Sequence, residues 1–182
     1  MIIMIMRNSL VMTLLVVFTT FGMPFAFGQD KGYVVEESSA KREPFQLFDN
    51  LFFVGTKAAA AWVLQTDQGL ILIDSAPGSE TSALIDNIRK LELDPIDIRY
   101  LIVTHGGCNQ VGGAKRMQEE FGAVVLMTEQ AWEASMSLAG QVSGYVPPLR
   151  HLTATESGSV TLGRDRVSVF KTPGHTPGAL SV

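Results

Sequence analysis

The stretch Leu101 to Arg116 reads LIVTHGGCNQVGGAKR, and its interpretation decides the fold. An apolar run ends in Thr-His, which is how a buried strand delivers a polar side chain to the rim of a sheet. A glycine-flanked segment with helical spacing follows at once. Ala114, Met117 and Phe121 form its inner stripe, and Gly122 closes it. The loop between strand and helix offers His105, Gly107, Cys108, Asn109 and Gln110.

Toward the N-terminus, GLILIDS (69–75) is a second apolar run without alternation, as expected of a strand covered on both faces. Its Asp74 falls at the carboxyl end, as His105 does in the next strand. LFFVGT (51–56) and AAWVLQT (60–66) read as short strands, punctuated by Thr56-Lys57 and Asp67-Gln68-Gly69. A helix is expected from about Ser79, with Leu84, Ile85, Ile88 and Leu91 at helical spacing and Pro95 beyond its end.

Toward the C-terminus, AVVLMT (123–128) is a further strand, and Thr128 caps a helix containing Ala131, Trp132 and Met136. The segment from Ser135 to Pro148 is featureless. Beyond Pro147-Pro148 come VTL (160–162) and VSVFKTP (167–173), divided by Gly163-Arg164-Asp165, and the last residues are GHTPGALSV. Strands first in hairpins and then alternating with helices predict a layered α/β architecture. An ending inside an apolar run gives the expectation of a domain whose C-terminal half is incomplete.

The first residues are of another kind. MIIMIMRNSLVMTLLVVFTTFGMPFAFGQD carries Arg7 as its single charge before Asp30, and a long apolar run meets the small-residue pattern Ala26-Phe27-Gly28. That is the pattern of a secretory signal peptide over residues 1–28, with cleavage after Gly28. The alternative is an uncleaved anchor, since the run is nearly long enough to span a bilayer. Pro24 and the small residues favour cleavage. A start at Met6 would give a more ordinary leader. Residues 29–46 then form a mature N-terminal arm, polar between Lys31 and Glu43, and residues 47–182 form the domain. The expected location is periplasmic or secreted, with membrane contact through the leader only.

A net charge of −4 and an isoelectric point near 5.3 exclude the basic stripe that nucleic acid requires. The single cysteine, Cys108, has no partner for an internal disulfide. It is a free thiol, a metal ligand or a small buried apolar residue, and the last is the commonest state of a lone cysteine.

Three residues converge on one rim. Asp74 and His105 end buried strands, and His175 sits in TPGHTPG, a turn stiffened by prolines on both sides. Such a set can build a metal or acid–base site. Each also has a plainer reading: Asp74 as a turn former before Ser-Ala-Pro-Gly, His105 as a hydrogen-bonded structural residue, His175 as an exposed turn residue. His151, after Pro-Pro-Leu-Arg, has only the plain one.

Taken in order, VGTK, WVL, GLILIDS, YLIVTH, VGGAKR and TPGHTPG resemble the metallo-β-lactamase superfamily, and above all its third lactamase subclass and related exported zinc hydrolases. The resemblance runs from about Leu51 to the last residue. It implies an αββα sandwich of two similar halves with metals at one edge, zinc as the cofactor, and a small-molecule lactam or ester-like substrate. In the family the loop reads His-x-His-x-Asp-His. Laid on this chain, the first His is His105, the second falls on Gly107, the Asp on Asn109 and the last His on Gln110. The later metal-binding His corresponds to His175. A further His is expected beyond position 182. Asp74 matches the family's strand-end support of the metal loop.

The chemistry gives these departures their weight. A catalytic zinc is held by three protein ligands and keeps one position for water. It lowers that water's pKa to about 7 and so makes a hydroxide nucleophile. His105 and His175 supply two ligands; Asn109 and Gln110 offer only neutral carbonyl oxygens. Cys108 could complete a set of three, although it falls on a variable position between the family's ligands. The sequence therefore predicts weak or absent zinc binding and an impaired or inactive hydrolase. The alternatives are a non-catalytic exported binding module and a decayed gene fragment.

Overall fold

The computed structural model describes residues 42–182. The expected leader and nearly all of the polar arm lie outside the described residues. Among the described residues no helix is long and apolar enough to cross a membrane.

Four strands form an antiparallel meander: β1 (Phe45–Phe48), β2 (Leu51–Phe53), β3 (Trp62–Thr66) and β4 (Gly69–Ile73). The chain then changes to parallel pairing. Helix α1 (Thr81–Lys90) leads to β5 (Ile98–Ile102). The short α2 (Cys108–Val111) and α3 (Ala114–Phe121) lead to β6 (Val124–Thr128), and α4 (Glu129–Ser137) leads to β7 (Leu152–Ala154). All seven strands lie in one sheet in chain order. A second sheet, ordered β10-β9-β8, is built from β8 (Ser157–Leu162), β9 (Asp165–Lys171) and β10 (Leu180–Ser181).

The unalternating runs are explained by what covers them. In β4, Leu70 and Leu72 face the helices and Ile71 faces the second sheet, so neither side meets water. On the helical side Leu72, Leu101 and Val125 pack with Leu84, Ile85, Ile88, Met117 and Trp132. On the other side Ile71, Ile102 and Leu126 meet Val160, Val169 and Leu180. Burying one such side chain contributes roughly 1.5–3 kcal/mol, so these two layers hold the molecule together.

Of the four layers the resemblance implied, three are present among the described residues: helices, the seven-stranded sheet and the three-stranded sheet. The outer face of the second sheet, with Ser159, Thr161, Arg166, Ser168 and Phe170, is exposed.

Most local expectations hold, with instructive departures. Helix α1 begins at Thr81 because a 3-10 turn over Gly78–Glu80 precedes it. Gly122 ends α3 in the left-handed conformation with φ of 71°. Thr128 caps α4 by accepting a hydrogen bond from the Ala131 N–H at 3.1 Å. Met136 points to solvent, and Ser135 takes the buried place beside Ala131 and Trp132. No strand is expected before Leu51, yet Phe45–Phe48 pairs with β2.

Candidate functional site

The rim is assembled at the carboxyl ends of β4, β5 and β6. At the end of β4 the chain reverses sharply: Asp74 and Ala76 both adopt φ of 60°, the left-handed region that non-glycine residues rarely occupy. The reversal is held from both sides. The Asp74 N–H donates to Ile102 O at 2.9 Å and the Gly113 N–H to Ala76 O at 3.1 Å. Ser75 donates twice to Gln110 O, from its N–H and its hydroxyl, at 2.8 Å each. The β4 turn and the loop after β5 are thereby one hydrogen-bonded unit.

Thr104 is the junction of that unit. Its N–H donates to Asp74 Oδ1 and its hydroxyl to Asp74 Oδ2, both at 2.7 Å. Its carbonyl accepts from the Leu180 N–H at 2.7 Å. Burial pushes the Asp74 carboxyl up from its ordinary 3.8 to about 7, against the two Thr104 hydrogen bonds that pull it down. Asp74 is therefore a support with its face turned into the protein.

The Leu180 hydrogen bond brings the last turn to the rim. Thr172 N–H donates to Ala179 O at 2.9 Å and closes the turn that carries His175. The Thr128 hydroxyl fixes its base by donating to Gly178 O at 2.8 Å. Position 178 must be glycine, since a Cβ there would lie 2.6 Å from Ala131 N and 2.6 Å from Thr128 Oγ1. These contacts bring His105 and His175 together with ring centroids 4.8 Å apart and planes tilted by 32°. His105 is half-buried and His175 exposed.

The neighbours that should complete a cation site are elsewhere or absent. Gly107 has no side chain, and its N–H donates to His105 Nδ1 at 3.2 Å. The His105 ring occupies the space a side chain at 107 would need, with Cε1 at 2.8 Å from the Cβ position. Asn109 is exposed, and Gln110 serves chiefly through its carbonyl, which holds Ser75.

Cys108 lies 3.6 Å from Asn109 Oδ1 and lines a cavity of about 220 Å³ with Ser79, Gly112 and Tyr145. Burial pushes the Tyr145 phenol up, opposed by its 2.5 Å hydrogen bond with the Ser135 hydroxyl. His151 sits at the opposite end of β6, where Nδ1 accepts from the Val125 N–H at 3.3 Å. Among the described residues no group of three or more His, Cys, Asp or Glu is placed to hold a metal ion.

Two things escaped the sequence reading. Thr104 and Thr128 pin the rim, and the segment after Ser135 closes over Cys108. A hydroxyl directly before His105 was the one available signal for Thr104. Nothing in the sequence signals the Ser135–Tyr145 pair.

A meander followed by βα units, an opposed second sheet and two histidines at the carboxyl rim define a hydrolase-like α/β sandwich. The chain belongs to the metallo-β-lactamase superfamily, whose sequence profile matches residues 54–182. It is 27% identical over 135 residues to the probable metallo-hydrolase YqgX of Bacillus subtilis, covering 70% of this chain and 61% of that protein. Among solved structures it is similar to BJP-1, a subclass B3 metallo-β-lactamase of Bradyrhizobium japonicum. That match has 34% identity and a TM-score of 0.69, and covers 78% of this chain and 56% of that one. A Cronobacter sakazakii metallo-β-lactamase described by its HARLDQ motif matches at 29% identity and a TM-score of 0.70, covering 79% and 55%. The chain thus spans little more than half the length of these relatives.

Members of the superfamily generally bind zinc and act on small molecules. Among the described residues His105 and His175 are the two imidazoles brought together at this rim, and no third His, Cys, Asp or Glu is grouped with them to hold a metal ion.

Proposed function

We propose that this chain is an exported protein descended from zinc hydrolases of β-lactams and related cyclic amides or esters, and that it no longer performs zinc-hydroxide hydrolysis. The observation that carries this reading is the pairing of His105 with His175 beside Gly107, with no third ligand among the described residues. Export is supported by the leader pattern that ends at Gly28.

The Cronobacter sakazakii relative sharpens the argument. Its motif reads His-Ala-Arg-Leu-Asp-Gln, and this chain reads His-Gly-Gly-Cys-Asn-Gln from His105 to Gln110. A final glutamine is therefore shared with a protein that is called a metallo-β-lactamase. The two motifs differ at Gly106, Gly107, Cys108 and Asn109; since the relative has Arg at the position of Gly107, Asn109 in place of Asp is the departure from a ligand-type residue that supports the reading.

The test is metal analysis of the purified protein after equilibration with zinc, followed by hydrolysis of a chromogenic β-lactam with and without chelator. The expected result is far less than one bound zinc per chain and no chelator-sensitive turnover. One tightly held zinc together with chelator-sensitive hydrolysis would refute the proposal.

A further inference from the structure

We draw no further inference here: the strongest candidate, the cavity of about 220 Å³ enclosed by the turn at Pro77, Gly78 and Ser79, by Cys108 and by the segment from Val142 to Tyr145, rests on a lone thiol with no second feature that points to a ligand, since the Ser135 and Tyr145 hydroxyls beside it already bond to each other.

Discussion

Asp74 and His105 stand at the ends of neighbouring strands, and the structure treats them in opposite ways. Around Asp74 each polar group is matched: both carboxylate oxygens accept from Thr104, and the turn behind it is tied to Ile102, Gln110 and Gly113. Around His105 the partners thin out to one N–H from Gly107 and the face of His175. The support of the loop is complete while the groups it should present are few. A buried carboxyl removed from its donors costs stability whether or not a cation is bound. A cation ligand on an exposed rim contributes to nothing but the cation, so its replacement leaves the fold intact.

The largest test of this contrast rebuilds the ligands on the intact support. In the triple variant Gly107→His, Asn109→Asp, Gln110→His, His105 must swing out of the space beside position 107. Zinc affinity should then rise by about 1,000-fold or more, roughly 4 kcal/mol, as read by competition with a chromogenic chelator. An unchanged affinity would mean that the support is defective too.

The second test uses pH. The Asp74 carboxyl titrates at about 7 in the fold and near 3.8 in the unfolded chain. Between these values the folded protein binds the extra proton, so stability must fall as pH rises from about 4 to about 7 and level off above. The loss attributable to this group is at most about 4 kcal/mol. Asp74→Asn should flatten that slope in urea unfolding measured from pH 4 to 8. A variant that keeps the wild-type slope would place the titration elsewhere.

Smaller effects divide the two sides of the rim. At pH 5, Asp74→Ala strands the Thr104 N–H and hydroxyl and should cost about 2–3 kcal/mol by chemical denaturation. His105→Ala or His175→Ala should cost no more than about 1 kcal/mol in the same assay. Equal losses on both sides would erase the distinction drawn here.

Much of the fold was legible because burial on two faces leaves a plain mark. GLILI and YLIV lack alternation since helices cover one side and a sheet the other. Thr128 and Gly122 announced a helix start and a helix end by local chemistry alone. Asp74, His105 and His175 could be nominated from their places at strand ends and in a proline-framed turn.

Other features were hidden because their cause lies far along the chain. Ser135 displaces Met136 from the interior because the Tyr145 hydroxyl satisfies it. Cys108, a plausible third ligand by composition, faces the cavity that the Tyr145 segment closes. Strand β1 straddles the expected boundary between the arm (29–46) and the domain (47–182), because its residues gain order only from pairing with β2.

By itself the sequence determined the layered α/β scaffold and the identity of the rim residues, since hydrophobic period, caps and turn chemistry act within a few residues. Only the tertiary structure decided that His105 meets His175, that Nδ1 of His105 accepts from a backbone N–H, and that Cys108 lines the cavity beside Tyr145. Those outcomes depend on hydrogen bonds such as Leu180 to Thr104 and Thr128 to Gly178. These join segments tens of residues apart, and no local pattern encodes such distances.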